Sequence, residues 1–248
     1  ASEEAPALTL YRSDIARASD TADTLLRRLG IQDAAAAAFL RSDATVRQSL
    51  WGRAGRSVTA EASTNNTLLK LTARWTPADD GKFTRLVVEQ TPTGLKSRLE
   101  TAPLQATTRL ASGTIQSSLF AATDEARLPD AIATQVAEIF SGDIDFHRAL
   151  RKGDRFSITY ETLEGDGEPL RTGKVLSAEF VNNNKTYQAM WFAQPGQKGG
   201  YYTLDGQSLR RAYLASPMEF SRVTSGFKMR FHPILQAWRA HLGVDYAA

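Results

Sequence analysis

The sequence predicts an α+β protein that is mostly β-structure and has more than one domain. Helix signals occur before residue 45, apolar and polar residues alternate from Leu69 onward, and turn residues recur about every 8 to 12 positions after Gly153. With 248 residues, the chain is long enough for one large domain or two ordinary ones. We therefore expect a small α+β module followed by a β-rich module.

The first module is predicted to begin with two helices. Asp20 is a candidate N-cap, leucines from Leu25 to Leu29 follow at helical spacing, and Gly30 ends the helix. A second helix is predicted to start at Asp33.

Strands are predicted to complete the first module. Residues 69–75 alternate between apolar and polar, Asp80-Gly81 forms a turn, and a returning strand starts at Leu86. The pattern predicts the end of this module near Leu104.

The second module is predicted to open with a helix and continue as strands. Pro129 stands at the first turn of this helix, which has an apolar face from Ile132 to Ile139 and Gly142 just past its end. Strands are then predicted at 156–160, 175–181 and 187–192, with turns at 165–167 and 182–184. Turn residues within 199–206 punctuate the next pair of strands. Turns at this spacing favour a β-barrel or a rolled sheet that runs to about Phe220.

Composition excludes several classes of protein. The chain has no cysteine, so it has no disulfide and no thiolate ligand, and its longest apolar stretch is far shorter than the roughly 20 residues that cross a bilayer. We expect no transmembrane segment. Residues 1–10 are acidic and lack an apolar core, so the chain either never had a signal peptide or begins after its removal, and we expect removal.

The net charge of +3 is too small to predict binding to nucleic acid. Residues 221–248 contain four basic residues and one acidic residue, so this segment accounts for the whole excess. An anionic partner would explain this excess, but charge alone favours the simpler interpretation of solvated arginines around a structured segment.

His241 and Asp245 are candidate metal ligands. An imidazole and a carboxylate are both ligands that zinc accepts, but four residues along a straight strand span roughly 13 Å, too far for one ion. Gly243 lies between them and permits the necessary bend. Most such pairs in soluble proteins bind no metal, so the neighbouring sequence matters.

That neighbouring sequence resembles the opening of the lysostaphin-like (LytM-type) zinc metallopeptidase domain. The matching motifs are SGFKMRFHP, which starts at Ser225, and RAHLGVD, which ends at Asp245. Upstream, residues 139–156, 174–180 and 201–217 look like the second domain of three-domain Gram-negative cell-wall endopeptidases, and residues 19–60 look like their N-terminal regulatory domain. The resemblance divides the chain into an N-terminal regulatory domain (1–104), a β-rich domain (105–220) and the first strands of a β-sheet peptidase domain (221–248).

The resemblance implies that His241 and Asp245 are two of three protein ligands to Zn²⁺. It places the third in a His-x-His motif downstream of Ala248, so we expect the chain as written to be inactive and to contain no catalytic residue beyond these ligands. Bound zinc would polarise the peptide carbonyl and lower the pKa of a bound water.

Four further residues of this segment are candidates for substrate binding. Arg230 and Arg239 suit bidentate binding of peptide carboxylates, and they are equally suited to pinning a loop. His232 either lines the cleft or makes a structural hydrogen bond, and Trp238 is a candidate cleft residue.

Other candidates are read as structural. We expect His147, on a short helical segment, to be a surface or half-buried structural residue. Asp143, Asp145 and Asp154 are the carboxylates that a glycosidase would need, but they are better explained as turn formers.

The sequence therefore predicts a periplasmic zinc endopeptidase that cleaves peptide crosslinks of peptidoglycan, with the peptide stems of the wall as its partner. The resemblance implies that the N-terminal domain keeps it latent by inserting a side chain at the zinc, with Glu61, Asn65 and Asn66 as polar residues near a turn. Two alternatives stay open: a non-catalytic envelope protein that binds peptidoglycan or activates other hydrolases, and a glycan-binding module built on residues 106–220.

Overall fold

The computed structural model describes residues 8–209 together with the strands 229–232 and 237–240. These residues form twelve strands and five helices. They divide into two compact units: the residues up to Gln105 with Glu164–Leu170, and the residues of Ala106–Leu163 with those from Arg171 onward. In this part of the chain no helix is long and apolar enough to span a membrane.

Unit 1 is a five-stranded antiparallel sheet with three helices inserted between its first two strands. The strands, in chain order and in spatial order, are β1 (Leu10–Ile15), β2 (Ser57–Ala62), β3 (Leu68–Trp75), β4 (Lys82–Thr91) and β5 (Gly94–Pro103). The helices are α1 (Ala22–Arg28), α2 (Ala34–Ser42) and α3 (Ala44–Leu50). Leucines from the helices and alternating apolar residues from β2, β3 and β4 form one core.

Side-chain caps set where these helices begin. The α2 helix begins after Asp33, whose carboxylate accepts a hydrogen bond from the Ala36 N–H, as predicted. The prediction for α1 was wrong by one residue, because Thr21 rather than Asp20 is the N-cap and forms a capping box with Thr24. Gly30 lies just past α1 with φ +67°, a conformation that favours glycine.

Unit 2 is a five-stranded sheet with two helices. Its strands are β6 (Gln105–Thr114), β7 (Arg155–Gly165), β8 (Glu168–Asn182), β9 (Lys185–Phe192) and β10 (Gly200–Tyr202), in the spatial order β10-β9-β8-β7-β6. The helices are α4 (Leu119–Glu125) and α5 (Asp130–Ile139). Pro129 is the N-cap residue of α5. Phe180 lies at the centre of the core, with the rings of Phe140, Phe146 and Phe156 around it.

The fold class is confirmed: the chain is α+β, mostly β, and has more than one sheet. The expectation of a β-barrel was wrong for the described residues, since no strand pairing joins β10 to β6. The alternative of a rolled sheet does not need this pairing and stays a prediction. The predicted extension to Phe220 lies outside the described residues. His147 lies in a turn rather than on a helical segment.

Candidate functional site

The predicted zinc ligands His241 and Asp245 lie outside the described residues. The substrate-binding candidates lie on a two-stranded antiparallel sheet formed by β11 (Met229–His232) and β12 (Ala237–Ala240). Its register pairs Arg230 with Arg239, Phe231 with Trp238 and His232 with Ala237. The backbone therefore brings Arg230 opposite Arg239. The roles of the two zinc ligands and of the four substrate-binding candidates remain predictions.

Within residues 8–209, no group of three or more histidine, aspartate or glutamate side chains is placed to hold a metal ion. His147 is half-buried, and its backbone N–H donates to the Asp145 carboxylate at 3.0 Å. Asp154 likewise accepts a hydrogen bond from the Arg151 N–H at 2.8 Å, so Asp145 and Asp154 both support turns. The zinc site remains a prediction that rests on His241 and Asp245.

The residues considered for a latency contact lie in and beside the turn between β2 and β3. Glu61 is on β2, and Asn66 adopts φ +60° in the turn. The Asn66 side-chain carbonyl accepts a hydrogen bond from Arg12 at 3.1 Å. Asn66 therefore has a structural role in unit 1, and Asn65 beside it is exposed.

Unit 1 contains a pocket of about 610 Å³ that sequence reasoning missed. It lies at the end of β1, the loop from Arg53 to Arg56, the end of β3 and the segment from Glu168 to Leu170. The charged residues in its wall are Asp14, Arg53, Arg56, Arg74 and Glu168. Three arginines and two carboxylates give this pocket one net positive charge.

Arg56 is a partly buried cation of this pocket. Its guanidinium lies over the Trp75 ring at 3.9 Å from the centroid, and its Nη1 donates to the Ser49 carbonyl. Burial lowers the pKa of Arg56, and the neighbouring Arg53 lowers this pKa further. Arg53 itself is exposed and follows Gly52, which has φ +75°.

Two other charged groups of the pocket are already paired. Asp14 accepts a hydrogen bond from Arg28 Nε at 2.9 Å, and Arg74 Nε donates to Asp166 at 2.6 Å. No ion pair in residues 8–209 involves Arg53 or Arg56. The sequence signal for this pocket was the loop at residues 52–56, which has two arginines and two glycines between α3 and β2.

Unit 2 has a smaller pocket of about 300 Å³ between α5 and the strands β9 and β10. Trp191 and Tyr201 contribute aromatic rings whose centroids are 5.2 Å apart, and Glu138 contributes a carboxylate. Burial raises the pKa of Glu138, and burial together with Glu138 and Glu161 raises the pKa of Tyr201 to about 12. The Tyr201 hydroxyl donates to the Val175 carbonyl at 2.9 Å, so it is neutral and fixed in position.

Trp51, Trp75 and Trp191 also have structural contacts. Trp51 is half-buried and its Nε1 donates to the Leu40 carbonyl at 2.8 Å, while Trp75 packs against the core of unit 1. Trp191 also lies under the Lys174 ammonium, 5.0 Å from the ring centroid.

Comparison with known proteins gives one family match and several relatives. Residues 105–229 match the family described as the Csd3 second domain. The chain is 30% identical over 167 residues to the peptidoglycan DD-endopeptidase ShyC of Vibrio cholerae, covering 67% of this chain and 38% of ShyC. It is 29% identical over 175 residues to the DD-carboxypeptidase/endopeptidase Mpg of Neisseria meningitidis, covering 68% of this chain and 40% of Mpg.

The chain thus spans about two fifths of the length of these curated relatives. Among solved structures, a zinc-containing peptidase from Vibrio cholerae aligns with a TM-score of 0.41 and 15% sequence identity, covering 92% of this chain and 69% of that protein.

Proposed function

The chain belongs to the family of the Csd3 second domain and, with it, to the LytM-type peptidoglycan endopeptidases, and from this membership we propose that the complete protein is a zinc-dependent endopeptidase that cleaves the peptide crosslinks of peptidoglycan. The match over residues 105–229 is the observation that carries the proposal. The names of ShyC and Mpg support the substrate, since both are endopeptidases and ShyC is named for peptidoglycan. Because this substrate is the cell wall, the proposal places the protein in the periplasm or envelope.

His241 and Asp245 are proposed to hold the metal through an imidazole nitrogen and a carboxylate oxygen. This donor set fits zinc, which accepts both ligand types. When bound, zinc polarises the scissile carbonyl and lowers the pKa of a bound water. The proposed domain limits are 1–104, 105–220 and 221–248, so both ligands belong to the peptidase segment.

Arg230 and Arg239 are proposed to hold carboxylates of the peptide stem. Their register pairing on β11 and β12 supports this role, because opposite residues of an antiparallel pair are close neighbours. A planar guanidinium binds a carboxylate through two parallel hydrogen bonds, which fixes the peptide's orientation as well as its charge. His232 and Trp238 on the same strand pair are proposed to contact the rest of the peptide.

The N-terminal domain is proposed to hold the enzyme latent by covering the zinc cleft. The support for this step is the resemblance of residues 19–60 to the regulatory domain of the family. Removal of residues 1–104 is then expected to raise the rate of wall cleavage without changing the zinc content.

The decisive experiment compares the product of the complete reading frame with its His241→Ala variant. Zinc content is measured by mass spectrometry of the metal, and activity is measured as the release of uncrosslinked muropeptides from purified peptidoglycan. We expect one zinc per chain and cleavage for the unaltered protein, and loss of both for the variant. His147→Ala serves as the matched control, since it removes a histidine from a turn of unit 2 and is expected to leave both readouts intact.

An unaltered protein that neither binds zinc nor cleaves, even without residues 1–104, would contradict the proposal. Retention on purified peptidoglycan in that case would identify the protein as a non-catalytic wall-binding component. The zinc endopeptidase and the non-catalytic wall-binding protein are therefore distinguished by zinc content and cleavage rather than by wall binding alone.

A further inference from the structure

The pocket of unit 1 combines two unpaired guanidinium groups with a cavity large enough for a ligand. Arg56 stacks on Trp75 and makes a hydrogen bond to a backbone carbonyl, neither of which neutralises its charge. Arg53 lies on the same wall and adds a second positive charge. A partly buried cation beside a like charge is unfavourable unless an anion is bound, so the geometry leaves a place for one.

The acidic residues of the pocket do not fill that place. The Asp14 carboxylate accepts hydrogen bonds from Arg28 Nε and from the Ile15 N–H. Asp166, which pairs with Arg74, is not part of the pocket wall. The neighbouring charge that acts on Arg56 is the positive charge of Arg53. Glu168, the remaining carboxylate of the pocket, makes no ion pair within residues 8–209.

The size and charge of the pocket select the kind of anion. A cavity of about 610 Å³ falls within the range of sites that hold small organic ligands. One net positive charge suits a monoanion such as a carboxylate better than a phosphate dianion. The planar fork of an arginine also matches the two oxygens of a carboxylate.

We propose that this pocket of unit 1 binds a carboxylate-bearing ligand, with Arg53 and Arg56 holding the carboxylate at the wall formed by Trp75. Resting on the proposed function, the ligand is the free carboxylate of a peptidoglycan peptide stem. The site is separate in sequence from the zinc ligands, so it gives unit 1 a wall contact of its own. Binding there selects stems that carry a free carboxylate over those in which it is an amide.

The test is an NMR titration of the 248-residue chain with N-acetyl-D-alanine, and with N-acetyl-D-alanine amide as the uncharged probe. We expect the acid to shift the Nε–H signals of Arg53 and Arg56 and the indole N–H signal of Trp75. The amide is expected to shift none of these signals. Binding of the acid is expected to weaken as salt is added, because screening reduces the attraction between partly exposed charges.

Three variants separate a specific site from general attraction to a basic surface. Arg53→Gln is expected to weaken acid binding roughly tenfold, as the loss of a charged hydrogen bond predicts. Arg56→Lys keeps the charge but loses the fork and is expected to weaken binding as well. Arg47→Gln, an exposed arginine on α3 outside this pocket, removes the same charge and is expected to bind the acid normally.

Equal binding of the acid and the amide, or normal binding by Arg53→Gln, would overturn the proposal. Tighter binding of inorganic phosphate than of the acid at the same pH would overturn the carboxylate assignment. If Arg56→Lys does not fold, the exposed Arg53 still decides the outcome. The titration needs no zinc and no cleavage, so failure of this site and failure of the proposed enzyme activity are separate results.

Discussion

Arg85 and Asp166 form a bidentate ion pair in unit 1. Arg85 Nε donates to Asp166 Oδ2 at 2.8 Å and Arg85 Nη2 donates to Oδ1 at 2.7 Å, while Arg74 Nε also donates to Oδ2 at 2.6 Å. These hydrogen bonds, those from Arg85 first, lower the pKa of Asp166 to about 2 even though partial burial opposes the shift.

The first prediction concerns the stability of the protein in acid. Because the folded state lowers the pKa of Asp166 from 3.8, this group stabilises the fold above about pH 4. The stabilisation disappears as the pH falls toward 2. We expect about 1 kcal/mol, since a third of the side chain is exposed and solvent screens the pair. Urea unfolding of the protein and of Asp166→Asn between pH 2 and 7 measures this difference.

Asp23→Asn is the matched control for that experiment. Asp23 pairs with Arg41 at 3.1 Å, but both side chains are more than half exposed. Its loss is expected to change the free energy of unfolding by a few tenths of a kcal/mol at most. If Asp166→Asn has the same acid dependence as the unaltered protein, the bidentate pair does not stabilise the fold.

The second prediction concerns Asp20, which is buried before α1. Its carboxylate accepts hydrogen bonds from Arg28, the Arg17 N–H and the Thr24 hydroxyl. Burial alone would raise the pKa of Asp20, but the hydrogen bonds, above all those from Arg28, lower it. Asp20→Ala leaves Arg28 without this partner and is expected to lower the free energy of unfolding by about 3 kcal/mol.

A double-mutant cycle with Arg28→Ala tests that explanation. We expect the double variant to lose clearly less stability than the sum of the two single variants. Arg28→Ala leaves the buried Asp20 without its cation, and Asp20→Ala leaves Arg28 with Asp14 as its remaining carboxylate partner. Additive losses would show that the two side chains stabilise the unit independently.

Local sequence signals predicted several elements correctly. The α2 helix was found from Asp33 because its cap and its alanine run lie within a few residues of each other. The turn at Asn183 and Asn184 was found because asparagine tolerates the left-handed conformation, and both residues have positive φ values of 50° and 63°.

The missed features depend on contacts between distant residues. Strand β1 has alternating half-buried and exposed residues, and its pairing with β2 joins Leu10 to Ala62. The pocket of unit 1 was missed for the same reason. Arg56 meets Trp75 because the β2–β3 register pairs the next residue, Ser57, with Arg74. No spacing along the chain reveals that register. The zinc ligands, by contrast, were predicted from His241 and Asp245, which are close in sequence, and their role stays a prediction.

The third prediction concerns the buried hydrogen bond between Asp154 and Asn182. Asn182 Nδ2 donates to Asp154 Oδ2 at 2.7 Å, and Asp154 Oδ1 accepts from the Asn183 N–H at 3.0 Å. Asn182→Asp replaces the donor with a second carboxylate, so one of the two acids must bind a proton in the folded state. We expect a loss of about 2 to 4 kcal/mol at pH 7 and a smaller loss at pH 4.

The sign of this pH dependence follows from a raised pKa in the folded state. In the unfolded chain this acid has the pKa of an ordinary aspartate, about 4. Above that pH the unfolded chain releases the proton that the folded state keeps, so the fold loses stability as the pH rises. Urea unfolding at the two pH values measures the difference, with Asn184→Asp as an exposed control in the same turn. An equal loss at pH 4 and pH 7 would indicate lost packing rather than repulsion between carboxylates.

The fourth prediction concerns Phe180 at the centre of the core of unit 2. Its ring is fully buried and lies 5.4 Å from that of Phe146, with Phe140 and Phe156 within 6.5 Å. Phe180→Ala removes these contacts and leaves a cavity, so we expect the free energy of unfolding to fall by about 3 to 5 kcal/mol. Urea unfolding of the two proteins measures this loss. Phe192→Ala is the control, because that ring is 54% exposed and its neighbour is Tyr202 on the adjacent strand. Similar losses of stability for the two variants would contradict a core centred on Phe180, since a half-exposed ring buries less apolar surface and should contribute less to stability.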